Sequence, residues 1–214
     1  MSLEDRLLLA AGEVSAGCHG DVGTDHAQLP LYLLNHRLCE KVIATEKSES
    51  AYLVAKQALW GRRDAEVRLG DGLTPFGEGE LQSVSLCGMG GSLVEEILLA
   101  DPGKVPDIVI TQANRDNFKI RRWARDAGFH LVKEQMAQGH WVYEILTFHR
   151  AEGEDPAYKG LSEELALFYG PRLLKEKHPL LISDLERRLG YLPEHPRNEE
   201  LRRVKEALKI LYQD

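Results

Sequence analysis

The sequence predicts an α/β fold built on a mostly parallel sheet, with a smaller helical part behind it. Over the first 150 residues, short β-branched apolar runs alternate with helical patterns. That order requires crossover connections between neighbouring strands, and such connections produce a parallel sheet. A polar stretch containing Gly153 and Pro156 follows, and beyond it the pattern is helical only. We therefore expect one domain over residues 1–150 and a helical, coiled-coil-like domain over residues 151–214.

Seven strands are expected in the first domain, the last two forming an antiparallel hairpin at the edge of the sheet. They are expected at residues 17–22, 41–45, 67–69, 82–87, 107–111, 129–134 and 141–148. An opening helix is indicated by apolar residues on one face, at Leu7, Leu8, Ala11 and Val14. Later helices are expected at residues 28–35, 48–60, 90–100 and 116–127. Ser48 is expected to cap the helix that it begins, since serine accepts hydrogen bonds from the unpaired amides at a helix start.

The residues after 158 predict two helices that fold back on each other. One carries apolar residues spaced as in a coiled-coil seam, at Leu201, Val204, Leu208 and Leu211. A similar seam is expected on an earlier helix, at Leu174, Leu181, Leu185 and Leu192. Pro193 and Pro196 indicate the turn between them, and Pro179 is expected to kink the earlier helix or to begin it. The pattern leaves open whether the pair packs on the first domain or projects as a coiled coil.

Composition excludes several classes of protein. The 214 residues are 43% hydrophobic and 29% charged, which is an ordinary globular balance. No apolar run approaches the roughly 20 residues that span a bilayer. Because the acidic start also lacks the features of a signal peptide, we expect a cytoplasmic protein without membrane association. The histidines on the expected strands fit no metal-ligand spacing, so no metal is expected. The net charge of −7 disfavours an overall basic surface but allows a local basic patch.

An acidic loop follows the first expected strand, where ligands of open α/β sheets bind. It contains Asp21, Thr24 and Asp25 around Gly23, which permits close approach of the backbone to a ligand. A dinucleotide site would require Gly-x-Gly-x-x-Gly here, and carboxylates would repel a pyrophosphate. They suit a cationic ligand instead, such as the sulfonium and ammonium groups of S-adenosylmethionine. The alternative is an acidic turn that binds nothing.

Further candidates follow the next three strands. Glu46 ends the second strand, where an acidic residue typically accepts from ribose hydroxyls. Asp71 follows the third, where a carboxylate can accept the adenine amino group, although Gly-Asp-Gly is also an ordinary turn. The Gly-rich run 88–91 lets the chain pass close to both cofactor and substrate. The expected cofactor-binding residues are Asp21, Gly23, Thr24, Glu46, Lys47, Asp71, Gly72, Gly88, Met89 and Gly90.

Together these motifs resemble the bacterial tRNA adenine N1-methyltransferase family that modifies position 22 of tRNA. The likeness rests on residues 21–30, 70–73, 88–91 and 143–144 and on Gln112 with Asn114, and it continues into residues 169–171 and 174–177. The resemblance implies a Rossmann-like class I methyltransferase domain, a helical coiled-coil-like domain, S-adenosylmethionine as cofactor and tRNA as partner. The family usually has Gln-Pro-Asn where this chain has Ala113 between Gln112 and Asn114.

The expected chemistry is alignment of a nucleobase nitrogen with an activated methyl group. The resemblance points to Asp25 as the acidic residue beside the target base, with His26 and Asn114 as further catalytic candidates. A carboxylate would stabilise the positive charge that develops at adenine N1. Asp25 could instead be a helix N-terminal acid, and His26 could simply pack. Because N1 lies on the pairing edge, the base must be unpaired or extruded, and the aromatic candidates for stacking on it are Tyr32, Trp60 and Trp141.

Binding of RNA requires clustered cations. Between residues 170 and 210 there are 10 Lys or Arg against 7 Asp or Glu, and a second basic group surrounds the helix after the fifth strand. The alternative for each residue is a solvated helix face. The expected RNA-binding residues are Arg115, Lys119, Arg121, Arg122, Lys175, Lys177, Arg202 and Arg203.

Three other functions remain open at this point. One is a methyltransferase that acts on another RNA position, a small molecule or a protein. A nicotinamide-dependent oxidoreductase is disfavoured, because its Gly-x-Gly-x-x-Gly turn is absent from the sequence. The last is a catalytically silent RNA-binding module. No obligate protein partner is evident, and the sequence leaves a monomer and a homodimer equally possible.

Overall fold

The computed structural model describes residues 3–195 and 197–213, and it has the predicted α/β architecture. Seven strands form one sheet in the order β3-β2-β1-β4-β5-β7-β6. The first five are parallel, and β7 is antiparallel to both of its neighbours. The strands are β1 (Ala16–Val22), β2 (Cys39–Glu46), β3 (Ala65–Leu69), β4 (Ser83–Met89), β5 (Ile108–Ala113), β6 (Phe129–Gln138) and β7 (Val142–Arg150).

Helices cover both faces of this sheet. On one face α1 and α2 pack through residues such as Leu7 and Leu33, and α3 joins them through Ala55. On the other face α4 and α5 pack through Leu98 and Trp123. The central parallel strands are therefore covered on both sides, whereas β3 at the edge of the sheet is only partly buried. These helices are α1 (Asp5–Ala11), α2 (Gln28–Asn35), α3 (Glu49–Ala58), α4 (Gly91–Ala100) and α5 (Asn117–Asp126).

Local sequence signals explain where two of these helices begin. Ser48 caps α3 as predicted, accepting a hydrogen bond from the amide of Ala51 at 3.2 Å. Gly91 begins α4 directly against the loop that precedes α5. A Cβ atom at Gly91 would lie 2.3 Å from the carbonyl oxygen of Asp116, so only glycine allows this approach. The two loops that follow β4 and β5 are thereby held in contact.

The remaining helices form a cluster against β6. They are α6 (Glu163–Tyr169), α7 (Pro171–Lys175), α8 (Pro179–Tyr191) and α9 (Glu199–Tyr212), and short 3₁₀ turns at Pro102–Lys104 and Pro156–Tyr158 complete the secondary structure of the described residues. The predicted apolar face of α9 packs with Leu181 and Leu185 of α8 and with Met136 of β6. Of the two arrangements that the sequence allowed, the structure has the helical pair packed on the rest of the chain.

Of the two outcomes expected at Pro179, the structure has the second, because α7 ends at Lys175 and Pro179 begins α8. Leu174 therefore lies on a different helix from Leu181 and Leu185. Proline is favoured in a first helical turn because its missing N–H would have no partner there. The expected turn prolines are Pro193, which follows α8, and Pro196, which lies outside the described residues. No helix among the residues described is long and apolar enough to cross a membrane.

A buried ion cluster joins α5 to β6, β7 and the C-terminal helices. Arg121 is fully buried and donates from Nε to Glu134 at 2.7 Å and from Nη2 to Glu144. Its Nη1 donates to the carbonyl of Leu167 on α6 at 2.9 Å. Glu134 also accepts from the amide of Arg172 in α7 at 2.9 Å. The prediction of Arg121 as an RNA contact was therefore wrong, because its charge is compensated inside the protein.

Candidate active site

Two loops at the carboxyl edge of the parallel strands enclose a cavity of about 320 Å³. One loop follows β1 and the other follows β4, the neighbouring strand. This is the edge at which open α/β sheets bind their ligands. The lining residues come from the end of β1 and the loop after it, from the end of β4, and from α1 and α2 with the residue before α1. They are Glu4, Arg6, Leu7, Asp21, Gly23, Thr24, Asp25, His26, Gln28, Leu29, Cys87, Gly88 and Met89.

The loop after β1 has an unusual backbone. Gly23, Asp25 and Ala27 all have positive φ, at 72°, 51° and 53°. Left-handed conformations of non-glycine residues cost on the order of 1–3 kcal/mol each and persist only where the surroundings impose them. Here Glu46 imposes one, because its carboxylate accepts a hydrogen bond from the Asp25 amide. The loop is thus tied to the end of β2.

Asp21 lies at the floor of the cavity and is almost entirely buried. Its Oδ1 accepts a hydrogen bond from Ser85 Oγ of β4 at 2.5 Å. Burial raises the pKa of Asp21, the hydroxyls of Ser85 and Thr24 oppose this, and the charge of nearby Glu46 adds to the rise. The Thr24 hydroxyl is buried and close enough to Asp21 to lower the pKa of that carboxyl, but it has no partner of good hydrogen-bond geometry among the described residues. Both groups would gain from a polar, positively charged ligand.

The other two predicted carboxylates stand outside this cavity. Glu46 is separated from it by the Asp25 backbone, and Asp71 pairs with Lys47 at 2.6 Å. Among the residues that the structure describes, the lining therefore includes Asp21 but neither Glu46 nor Asp71. Strand register still places Glu46 at the same edge, next to Leu69 and the predicted turn at Gly72.

The Gly-rich loop after β4 is held by the predicted Asn114. The Asn114 side chain donates to the Gly88 carbonyl at 2.8 Å, and its backbone amide donates to the Met89 carbonyl at 2.7 Å. Gln112 accepts from the Gly88 amide at 3.2 Å. Asn114 thus positions the wall of the cavity. Gly90 lies on the same loop as the N-cap of α4.

Arg6 is a site residue that the sequence did not indicate. It comes from α1, and its Nη1 donates to Gln112 Oε1 at 2.6 Å. Its guanidinium also lies over the Tyr143 ring, 5.7 Å from the ring centre, and pairs with Glu4 at 2.6 Å. A lone arginine in an opening helix carries no motif, so nothing in the sequence predicted that it would line the cavity.

The predicted catalytic pair lies at the cavity mouth. The Asp25 and His26 side chains are 78% and 63% exposed, with Oδ1 and Nε2 separated by 3.7 Å. Asp25 lies two residues before Ala27, the N-cap of α2, where the alternative of an acid stabilised by the helix dipole also applies. Because it is exposed at the mouth, Asp25 presents its carboxylate to whatever enters the cavity.

Further cations and one exposed aromatic residue lie on α5, on the loop before it and in the turn before β7. Arg115 follows β5 and is 81% exposed, with Asp116 3.9 Å away. Lys119 and Arg122 lie on the outer side of α5, and Arg122 pairs with Glu95 at 2.9 Å. Trp141 is 65% exposed. It lies in the turn before β7, which β7 pairing with β5 places at the carboxyl edge of the sheet.

The predicted cations of the C-terminal helices are mostly engaged within the protein. Arg202 pairs with Glu164 at 2.7 Å and with Glu206 at 3.1 Å. Lys175 and Lys177 are exposed, and each donates to a backbone carbonyl. Arg203 is largely buried, and its guanidinium lies 4.1 Å from the centre of the Phe168 ring. Arg203 as an RNA contact stays a prediction, and in this structure its guanidinium packs on Phe168.

In this sheet the antiparallel strand β7 lies between β5 and β6, and an acidic loop follows β1. These features define a class I, Rossmann-like methyltransferase. The family model described as tRNA (adenine(22)-N(1))-methyltransferase matches residues 19–210. The chain belongs to this family, as the sequence motifs had predicted.

Individual relatives support this family assignment. The tRNA (adenine(22)-N(1))-methyltransferase of Bacillus subtilis is 32% identical over 191 residues, covering 86% of this chain and 79% of the relative. The crystal structure of the B. subtilis m1A22 tRNA methyltransferase is similar with a TM-score of 0.85, at 28% identity, over 98% of this chain and 97% of that one. A putative tRNA (m1A22) methyltransferase from Streptococcus pneumoniae, in complex with S-adenosyl-L-methionine, has a TM-score of 0.84 at 30% identity, over 97% of this chain and 100% of that one.

Proposed function

We propose that this chain transfers a methyl group from S-adenosylmethionine to N1 of adenine 22 in tRNA. One observation carries the proposal. In a chain that matches the family over residues 19–210, the loops after β1 and β4 enclose a cavity with a buried carboxylate, Asp21, at its floor. An acidic, enclosed site at this edge of the sheet suits a positively charged methyl donor.

The residues of the cavity fit the cofactor. Asp21 offers a buried negative charge, and the unpartnered Thr24 hydroxyl lacks only a polar ligand atom. Gly23 and Gly88 leave room beside them, and Met89 adds an apolar wall. When bound, S-adenosylmethionine supplies a methyl group that its positive sulfur has already activated.

A nucleoside end of the cofactor would extend along the sheet edge towards β2 and β3. Glu46 would accept from its ribose hydroxyls through Oε2, while Oε1 keeps its hydrogen bond from the Asp25 amide. Lys47, Asp71 and Gly72 would surround its base, and the Gly90 amide region closes the opposite side. These assignments rest on strand register, since these side chains lie outside the cavity itself.

Asp25 would act on the target base. As N1 acquires the methyl group the adenine becomes cationic, and the exposed Asp25 carboxylate at the mouth stabilises that charge and can accept a proton from the amino group. His26 orients Asp25 from 3.7 Å. Asn114 contributes by holding the Gly88 carbonyl, so that the wall facing the base stays in place.

The tRNA would lie across the carboxyl edge of the sheet. Arg115 and Arg122 are exposed, Lys119 is partly exposed, and all three suit phosphate contacts. Lys175, Lys177 and Arg202 extend the basic surface onto the helical part. We further propose the division into a cofactor-binding domain over residues 1–150 and a helical domain over 151–214. Supporting it, α6–α9 share an apolar cluster of their own, to which the sheet contributes Met136 of β6.

The direct test incubates the chain with S-adenosylmethionine and a tRNA transcript, then measures 1-methyladenosine in the nucleoside digest by mass spectrometry. A matched transcript with guanine at position 22 is the control. Methylation of the first transcript alone supports the proposal. Equal methylation of both transcripts would mean another RNA position. Absence of methylation from every tRNA, with methylation of a small molecule, would favour the alternative substrate class.

A further inference from the structure

Four polar side chains form a buried row beneath the cavity. His19 and Asp21 point to the same face of β1 because they are two residues apart, and β4 pairs Ser83 with His19 and Ser85 with Asp21. His19 is fully buried, with Nδ1 2.7 Å from Ser83 Oγ and Nε2 2.9 Å from Ser85 Oγ. Ser85 Oγ is 2.5 Å from Asp21 Oδ1. The row therefore ends on the carboxylate at the cavity floor.

The chemistry of these groups assigns a direction to each hydrogen bond. An ionised Asp21 carboxylate only accepts, so Ser85 must use its single hydroxyl hydrogen to donate to it. Ser85 Oγ can then only accept from His19, which places the imidazole hydrogen on Nε2. Nδ1 is left as an acceptor, and Ser83 donates to it. One arrangement of hydrogens satisfies the whole row.

His19 transmits orientation rather than charge. Burial lowers the pKa of His19 to about 3, so the ring is neutral at physiological pH. Ser85 has a second acceptor within reach, the carbonyl of Gly20 at 3.4 Å. A hydroxyl that turned towards Gly20 would leave the buried Asp21 carboxylate without this donor. The Nε2–H of His19 occupies the acceptor side of Ser85 and so keeps the hydroxyl on Asp21.

We propose that His19 is a positioning residue of the cofactor site, which acts through Ser85 to keep Asp21 oriented and ionised for a cationic methyl donor. The inference rests on the proposed function, since it concerns the same site. His19 contacts neither cofactor nor substrate, so its effect should be on the affinity for S-adenosylmethionine. It should leave the rate at saturating cofactor largely unchanged.

Two amide variants test the proposal as a matched pair. Gln places its amide nitrogen near the position of Nε2, whereas Asn places its amide near the position of Nδ1. His19→Gln can therefore still donate to Ser85, and His19→Asn cannot. We expect His19→Asn to bind S-adenosylmethionine about tenfold more weakly than the unmodified protein, the effect of one lost hydrogen bond to a charged group. We expect His19→Gln to remain within about threefold of it.

The readouts separate positioning from simple loss of packing. Calorimetry gives the Kd for S-adenosylmethionine, steady-state assays with tRNA give KM and kcat separately, and urea unfolding gives stability. Positioning predicts a raised Kd and KM in His19→Asn, with kcat retained and rescue by Gln. Equal Kd values for the unmodified protein and both variants would overturn the inference. So would equal weakening of both variants in proportion to their loss of stability.

A measurement on the unmodified protein remains available if the variants fail to fold. Nitrogen-15 NMR of labelled histidines should find a ring that does not titrate between about pH 5 and pH 8 and that carries its hydrogen on Nε2. A non-titrating ring with hydrogen on Nδ1, or no non-titrating ring, would overturn the inference. Absence of methylation at adenine 22 would instead contradict the proposed function. It would not change the S-adenosylmethionine affinities or the histidine NMR spectra by which the role of His19 is judged.

Discussion

Asp21 and Arg121 are both charged and both buried, but their surroundings are opposite. Arg121 donates to two glutamates and a backbone carbonyl, so its charge is compensated within the fold. Asp21 accepts from one serine hydroxyl and otherwise faces the cavity. Buried charges are expensive unless they are paired. The compensated charge at Arg121 therefore marks a structural junction, and the uncompensated one at Asp21 marks a site that a cationic ligand completes.

The largest expected effect is on stability, at Arg121. Arg121→Met leaves the buried Glu134 and the partly buried Glu144 without their partner, and breaking a buried ion cluster in this way costs about 3–5 kcal/mol. Urea unfolding should show this loss. Arg122→Met is the matched control, one residue away on the same helix but 48% exposed, and it should change the free energy of unfolding by less than about 0.5 kcal/mol. Similar values for both variants would show that the cluster does not hold the junction.

The next effect concerns the charge at the cavity mouth. Asp25→Asn should lower kcat for tRNA methylation about 100-fold, because a positioned carboxylate contributes that much to proton transfer and charge stabilisation. The Kd for S-adenosylmethionine should stay close to that of the unmodified protein, since Asp25 is exposed and acts on the base. An unchanged kcat would remove Asp25 from the catalytic assignment.

A smaller effect is expected at the exposed aromatic residue of the mouth. Trp141→Ala should weaken tRNA binding about tenfold, the contribution of one base stacked on an aromatic ring. Trp60 is the control, since it is 81% exposed and follows the end of α3, at the opposite edge of the sheet. Filter-binding titrations should show no change for Trp60→Ala. Equal losses would mean that tRNA does not approach from the predicted edge.

The smallest effect compares an exposed, loosely paired cation with a closely paired one. Arg115 lies 3.9 Å from Asp116, whereas Arg202 has close partners in Glu164 and Glu206. Arg115→Gln should weaken tRNA binding a few-fold and reduce the slope of log affinity against log salt by about one. Arg202→Gln should change both less, because its charge is already engaged. The reverse order would place the tRNA mainly on the helical part.

Much of the fold was predictable because the strands and helices of the sheet domain have clear apolar patterns in the sequence. The seven strands and the antiparallel pair were predicted from apolar runs, but the insertion of β7 beside β5 was not. A signal for it existed: residues 145–148 of β7 form an unbroken buried run, as a strand covered on both faces requires, whereas β6 alternates. Alternation of buried and more exposed residues is compatible with a strand at the edge of the sheet.

Single charged residues were the least predictable part. Arg121 and Arg122 are adjacent in an arginine-rich helix, and only the fold shows that one is buried and the other exposed. Arg6 carried no motif at all. The sequence does contain a signal for the buried polar row, because Ser83 and Ser85 alternate with apolar residues on a central strand. Polar residues there require buried partners, and His19 and Asp21 supply them.

The most direct test of the account compares S-adenosylmethionine affinity of the unmodified protein and Asp21→Asn by calorimetry between about pH 5 and pH 8. The titratable and charged groups that face Asp21 include His19, Glu46, Cys87 and Arg6. Burial raises the pKa of Asp21, so the carboxylate is lost as pH falls through that raised value. Because the pKa of Asp21 is raised, the free energy of unfolding of the ligand-free protein falls as pH rises and the buried carboxyl ionises. The side chain of Asp21→Asn does not ionise, so this loss of stability should be absent from the variant.

We therefore predict that the unmodified protein binds more weakly on acidification. Asp21→Asn should bind about 100-fold more weakly at neutral pH, the loss expected when a buried charge pair with the ligand is removed, and with little dependence on pH. Its ligand-free form should be at least as stable as the unmodified protein. An Asp21→Asn variant that binds S-adenosylmethionine as tightly as the unmodified protein would contradict the account.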